Sequence, residues 1–272
     1  MQVRYISNIT KEYPDMIKVI IYKEPKIFVK SAFTKRNREE VNDDNYIPSV
    51  SSLTRTKTLV RDLVLCNDFD LFCTFTFDPK LIDSFNYRAC WGKMSRWLHR
   101  QSDRSREAGK QFKYLIIPEK HKSGRWHFHA LISGYIGSLK PSGYKTGTLR
   151  TIYNVKSFRS GFTTAVEIDS KEGVSSYVTK YITKDFITSF NQRRFMCSRN
   201  LIRPTKTINS SIFRDTLPIF RKKTSESKET FEFVIDKMQD IYNNVDKAIF
   251  TPNVAQYRNS DNRGRKLCPQ HY

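Results

Sequence analysis

Three of the five histidines, His121, His127 and His129, fall within nine residues of one another in the stretch PEKHKSGRWHFHALISG at 118–134. On a strand, side chains alternate with period two, so His127 and His129 share a face while Phe128 turns the other way into the core. Two imidazoles side by side are half of a metal site. The other arm of a hairpin can supply a third ligand: with Lys122-Ser123-Gly124 as the turn and the glycine in its left-handed position, Glu119 stands opposite His127 and on its face. A register moved by two keeps that parity and brings His121 opposite His127 instead; a shift of one turns Glu119 away. Two imidazoles and a carboxylate with open positions suit Mg²⁺ or Mn²⁺ that also holds a substrate oxygen. A closed structural zinc site would want thiolates, and none is near in sequence. Taken alone, H-x-H on a strand equally describes a surface pair without metal.

A second cluster lies some fifty residues on, in SSYVTKYITKD at 175–185. Read as a helix, it carries Tyr177, Lys180, Tyr181 and Lys184 along one side. A tyrosine hydroxyl attacks a phosphodiester when a metal polarises the phosphate and a cation favours the phenolate. On a helix the two tyrosines stand about 6 Å apart along the axis, so both can face one phosphate. Without the histidines, the same pattern is an amphipathic helix with snorkelling lysines.

These residues need elements to hold them. LFCTFTFDP at 71–79 reads as a strand stopped by Asp78-Pro79. SFNYRACWGKMSRWLHRQ then carries Phe85, Tyr87, Trp91, Met94, Trp97 and Leu98 at helical spacing. FKYLIIPEK and RWHFHALIS form the hairpin, LKPSGYKTGTLR a Gly/Pro/Lys loop, FTTAVEID a further strand, and KEGVSSYVTKYITKDF the tyrosine helix. The order strand, helix, hairpin, strand, helix points to an α+β fold: a ferredoxin-like antiparallel sheet with helices packed on one face. Three regions are expected: an N-terminal segment over 1–55 with strand-like composition in DMIKVIIYKEPKIFVKSAF, a central domain over 56–204, and a basic C-terminal extension over 205–272. In the extension, Phe231, Val234, Met238 and Ile241 of KETFEFVIDKMQDIYNN make one apolar helical stripe.

Lys and Arg number 48 against 27 Asp and Glu, a net charge of +21 in 272 residues. Such an excess calls for a polyanionic partner, and nucleic acid fits it best. No apolar run has spanning length and the first residues lack a signal-peptide core, so a cytoplasmic, membrane-free protein is expected. Five cysteines without C-x-x-C pairing read as reduced thiols. No G-x-x-x-x-G-K-[ST] occurs.

The ordered set FCTFTFDP, PEKHKSGRWHFHAL and YVTKYITK resembles the HUH endonucleases, in particular two-tyrosine rolling-circle replication initiators of phages, plasmids and mobile elements. RRFMCSRNLIRP at 193–204 is similar to a stretch that follows the tyrosine helix in such initiators. The resemblance covers roughly residues 60–204. It implies that His127, His129 and Glu119 bind the divalent metal, that Tyr177 or Tyr181 attacks, and that Lys180 assists. Y-x-x-K fits both Tyr177-Lys180 and Tyr181-Lys184, so the first nucleophile stays open. The implied activity is nicking and rejoining of single-stranded or hairpin origin DNA through a 5′-phosphotyrosine, with a host helicase and polymerase as partners. A relaxase or an HUH-type transposase is the alternative within that chemistry; relaxases more often place the tyrosine before the histidines. Outside it stands a non-catalytic single-stranded nucleic-acid-binding protein, which metal-dependent cleavage would distinguish. Lys140, Lys145 and Arg150, with Tyr144 and Tyr153, are candidate backbone and stacking contacts.

Overall fold

The computed structural model describes residues 2–30, 50–182, 194–209, 225–226 and 230–236. The chain divides into two compact units, one from residues on either side of 203 and one from the middle. In chain order the elements are β1 (Gln2–Glu12), β2 (Met16–Lys30), α1 (Val50–Cys66), β3 (Leu71–Phe77), α2 (Tyr87–Glu107), β4 (Lys113–Lys120) and β5 (Trp126–Ser133). There follow β6 (Leu139–Lys145), β7 (Thr151–Val155), β8 (Gly161–Glu167), α3 (Lys171–Val178), β9 (Met196–Cys197), β10 (Thr205–Ile208), β11 (Ser225–Glu226) and β12 (Thr230–Asp236).

The middle unit is built on an antiparallel sheet of seven strands in the order β6-β7-β8-β3-β5-β4-β9. Its centre, β8-β3-β5-β4, has the strand order of a ferredoxin-like unit, with α2 as the crossover between β3 and β4 and the β6–β7 hairpin ahead of β8. The protein is thus α+β, with a large antiparallel sheet and three helices.

Alternation along β3 decides which side packs on what. Leu71, Cys73, Phe75 and Phe77 are buried against Cys90, Met94, Trp97 and Leu98 of α2, together with Phe128, Ala130 and Ile132 of β5. The helix starts at Asn86, whose side chain accepts a hydrogen bond from the Ala89 N–H. On the opposite face Leu115, Ile117 and Leu131 pack against Leu53, Val60, Leu63 and Val64 of α1 and against Val178 and Ile182. Helices therefore cover both faces, where one was expected. The reason is visible in β4 and β5, which run apolar on both parities in YLII and HALI, so each face needs its own cover.

At the end of α1, buried Asn67 clamps the chain: its Nδ2 donates to the carbonyls of Leu63 and Ile202, and its Oδ1 accepts from the Ile202 N–H. This holds 194–202 beside the sheet, where β9 extends it past β4. Cys66, Cys73 and Cys90 are buried free thiols, and burial pushes Cys90 up to about 12.

The other unit is a sheet in the order β10-β1-β2-β12-β11. Here the segment expected as a helix with an apolar stripe is a strand over Thr230–Asp236, paired along β2 from Tyr22 to Met16. Its residues also alternate with period two, Phe231, Phe233 and Ile235, and β2 offers a long partner that a lone helix would lack. The regions read apart as 1–55 and 205–272 thus contribute strands to one sheet. The boundary expected at 55/56 falls inside α1. The loop expected at LKPSGYKTGTLR is β6, paired irregularly to β7.

Candidate functional site

On β5, His127 and His129 lie on the face away from Phe128. Their cross-strand neighbours on β3 are Thr76 and Thr74. Residues directly opposite in an antiparallel pair share a face, and here the contact is direct: each threonine Oγ1 lies 3.2 Å from the Nδ1 of its histidine. A hydroxyl both donates and accepts, so it fixes the ring through Nδ1 in either tautomer and leaves Nε2 for the site. Sequence reading gave the threonines no role, although they carry a signal: in FCTFTF they alternate with aromatics on a strand that pairs with the histidines.

The hairpin has the register that Lys122-Ser123-Gly124 as the turn demands. Glu119 pairs with His127, and Gly124 takes φ +84°, which favours glycine. The Glu119 carboxylate reaches diagonally to His129, with Oε2 2.6 Å from Nε2. Burial by itself would raise Glu119, but the hydrogen bond from His129 and the positive charge of His129, His127 and His121 hold its carboxyl below the usual range. His127 is pushed down to about 4, first by burial and then by the neighbouring histidines, so its ring is neutral near pH 7. His121 sits at the turn, hydrogen-bonded to Ser123 and stacked on His127 at 5.1 Å between ring centroids.

The tyrosine segment starts at Ser170, whose side chain caps α3 by accepting from the Gly173 N–H. The α-helix ends at Val178 and tightens into a 3₁₀ turn over Thr179–Tyr181, short of the continuous helix expected to 185. Burial of Val178 and Ile182 anchors the turn, and the Thr179 hydroxyl bonds back to the Ser176 carbonyl. The Tyr181 ring lies on His129 at 3.6 Å and 18°, and its hydroxyl donates to that of Tyr177 at 2.7 Å. Phe72 fills the space beneath, stacked on His129 and edge-on to Tyr177. It belongs to the same parity of β3 as the two threonines, the side that sequence reading left without a role. Lys180 is exposed, with Nζ 5.2 Å from the centre of the Tyr177 ring. Lys184 lies outside the described residues.

Glu119, His127, His129, Tyr177 and Tyr181 therefore meet in one place, from three separate segments. The candidate contacts around them fare unevenly. Lys140, Tyr144 and Lys145 are exposed. Arg150 is bound to Asp169 at 3.1 Å and to the Glu167 carbonyl, because β7 runs beside β8, and Tyr153 is half-buried against the core. Sequence reading gave no role to Phe162. It pairs with Thr76, which also pairs with His127, so it stands on the histidine face, and it is 72 % exposed. The single hint was an aromatic at the start of FTTAVEID.

The donor types suit a divalent ion: two imidazoles, one of them neutral, and a carboxylate held ionised. Two donors at right angles on an octahedral ion stand about 3 Å apart at the usual 2.1 Å bond length. The 2.6 Å contact between Glu119 and His129 is shorter and is that of a shared proton. Among the described residues no three His, Cys, Asp or Glu side chains converge on a common ion position.

Residues 70–186 match the family model described as Replication-associated protein ORF2. The matched stretch runs from the first residues of the threonine strand past the tyrosine turn and contains every residue of this site. No curated protein matches the chain, and no solved structure does. No described helix is long and apolar enough to cross a membrane.

Proposed function

We propose, from the match of residues 70–186 to a replication-associated family, that the protein initiates DNA replication by nicking one strand and later rejoining it. The observation that carries the chemistry is the tyrosine pair seated on His129, with Tyr181 stacked on the imidazole and bonded to Tyr177. A phenol placed against two imidazoles and a carboxylate suits transesterification at phosphorus better than it suits a packed core.

In this reading His127, His129 and Glu119 would hold Mg²⁺ or Mn²⁺, which supplies polarisation of a phosphate oxygen when bound. Thr74 and Thr76 keep the imidazoles in place from behind. Tyr177 is the first nucleophile: it accepts the hydrogen bond from Tyr181, and Lys180 lies over its ring, so both neighbours favour negative charge on its oxygen. Its oxygen bonds to phosphorus, the bond from phosphorus to the 3′ oxygen breaks, and the phenolic proton passes to solvent or to the leaving oxygen. The products are a 5′-phosphotyrosine and a free 3′-OH, and the energy of the phosphodiester is kept for rejoining. Tyr181 is then placed for a second cut.

The test is incubation with single-stranded DNA from the genome that encodes the chain, with Mn²⁺, followed by a denaturing gel and peptide mapping. Tyr177→Phe should lose most of the covalent band, Tyr181→Phe should keep a first-cut adduct, and the double variant should give none. Adduct at neither tyrosine in the wild type would refute the assignment.

A further inference from the structure

On the α2 side of the sheet, away from the tyrosines, lies a cavity of about 340 Å³. Arg100 and Arg104 of α2 line one wall, Arg159 and Ser160 from the turn between β7 and β8 the other, with Trp97 and Phe158 as the floor. The turn is fixed against the helix, because Trp97 Nε1 donates to Ser157 Oγ at 2.9 Å and Tyr135 bonds the same hydroxyl. Among the described residues, none of the three guanidinium groups makes an ion pair or a hydrogen bond, and the nearby carboxylate of Asp103 is held by Arg106 at 2.7 Å.

The cavity also contains a buried polar group in need of a partner. Gln101 is 1 % exposed, lines the same space, and its Oε1 has no hydrogen-bond partner. A buried amide without one is costly. Rotation of the amide by 180° turns its Nε2 donor to where the oxygen stood, and three cations with a donor at the base of a rigid cradle are complementary to a tetrahedral anion.

Two features extend this beyond a lone anion. Lys93 and Arg96 continue the row of Arg100 and Arg104 at spacings of three and four, which makes a cationic track about 16 Å long on one flank of the helix. In addition, the turn feeds directly into β8, whose Gly161 pairs with Phe77, the residue after Thr76. Since β8 and β5 both neighbour β3, the end of the turn lies about two strand spacings, or 10 Å, from the His127 backbone.

We propose that this cavity is a second DNA site, which takes a backbone phosphate of the bound single strand on the face opposite the tyrosines. It rests on the protein's binding single-stranded DNA and is independent of the cutting chemistry.

The full chain is compared with its Arg100→Gln/Arg104→Gln/Arg159→Gln variant by fluorescence anisotropy on a thirty-nucleotide oligothymidylate across a salt series. Each phosphate contact on a single strand contributes about 0.7 to the slope of log K against log[salt]. The variant should lose about 2 from that slope, and Arg159→Gln alone, on an exposed turn, about 0.7. The same loss should appear in a His127→Ala/His129→Ala background. An unchanged slope in both arginine variants overturns the proposal. So does a slope that stays unchanged while inorganic phosphate raises the melting temperature of the wild type only, since the cavity would then be a site for free phosphate. Absence of any covalent adduct in the wild type, with the slope difference intact, would refute the nicking reading and leave this site standing.

Discussion

On one face of the seven-stranded sheet, Cys73, Phe75, Phe77, Phe128 and Ala130 meet the apolar side of α2. On the other, the alternate residues of the same two strands, Thr74, Thr76, His127 and His129, meet a glutamate and a tyrosine pair. One β3–β5 ladder makes both. Because the side-chain period is two, a strand can be a packing element and a reactive element at once, and each role constrains only half of its residues. The packed half also protects the reactive half: a slip of one residue in register would expose the phenylalanines and bury the histidines.

The largest effect that should break this symmetry is on chemistry. Replacing His127 and His129 together with alanine is expected to reduce covalent capture of DNA by about 10³-fold or more, equal to about 4 kcal/mol of barrier, with the melting temperature little changed. Capture in chelator equal to that in Mn²⁺ would remove the metal from the account.

Phe128→Ala, one residue along, should do the reverse. Phe128 is fully buried against Phe77, Tyr87 and Trp91. Truncation should cost about 3–5 kcal/mol of stability by denaturant titration, while the folded fraction retains capture per molecule. Loss of activity without loss of stability would mean that the faces are not separable.

Phe162 sharpens the comparison, since it is an exposed aromatic on the reactive face. If it stacks a base of the bound strand, Phe162→Ala should weaken single-stranded DNA binding by about 1–3 kcal/mol. Equal affinity of variant and wild type would make it a bystander.

The smallest effect is on pH. Folded His127 takes its proton at about 4, against an ordinary value near 6.5. Between these values the unfolded chain binds more protons, so stability rises with pH and falls as the pH is lowered from 6.5 towards 4. In chelator, the decline in thermal midpoint over that window should be shallower in His127→Gln. An identical decline would place the titration elsewhere.

Much of the reactive face was legible because its signals are local. H-x-H on a strand fixes which way two imidazoles point, and a three-residue turn ending in Gly124 fixes Glu119 opposite His127 through chain geometry alone. The positions of Thr74, Thr76, Phe72 and Phe162 were not legible in the same way. Each depends on which strand lies next to which, and β3 meets β5 and β8 across fifty and ninety residues of chain. The misread segment at 230–236 has the same cause. Its apolar residues satisfy both a helical and an alternating pattern, and only the long edge of β2 chooses between them.

The sequence by itself therefore determined the types of chemistry present: a strongly basic chain, a histidine pair with a carboxylate in register, two tyrosines four residues apart. Those are matters of charge, of the period of a strand and of the pitch of a helix. Only the tertiary structure decided that the tyrosines stack on His129 and bond to one another, that threonines stand behind the imidazoles, and that three arginines surround a buried glutamine on the far face. These rest on long-range pairing of strands and on helices packed to both sides of the sheet, where burial of apolar surface outweighs any local preference.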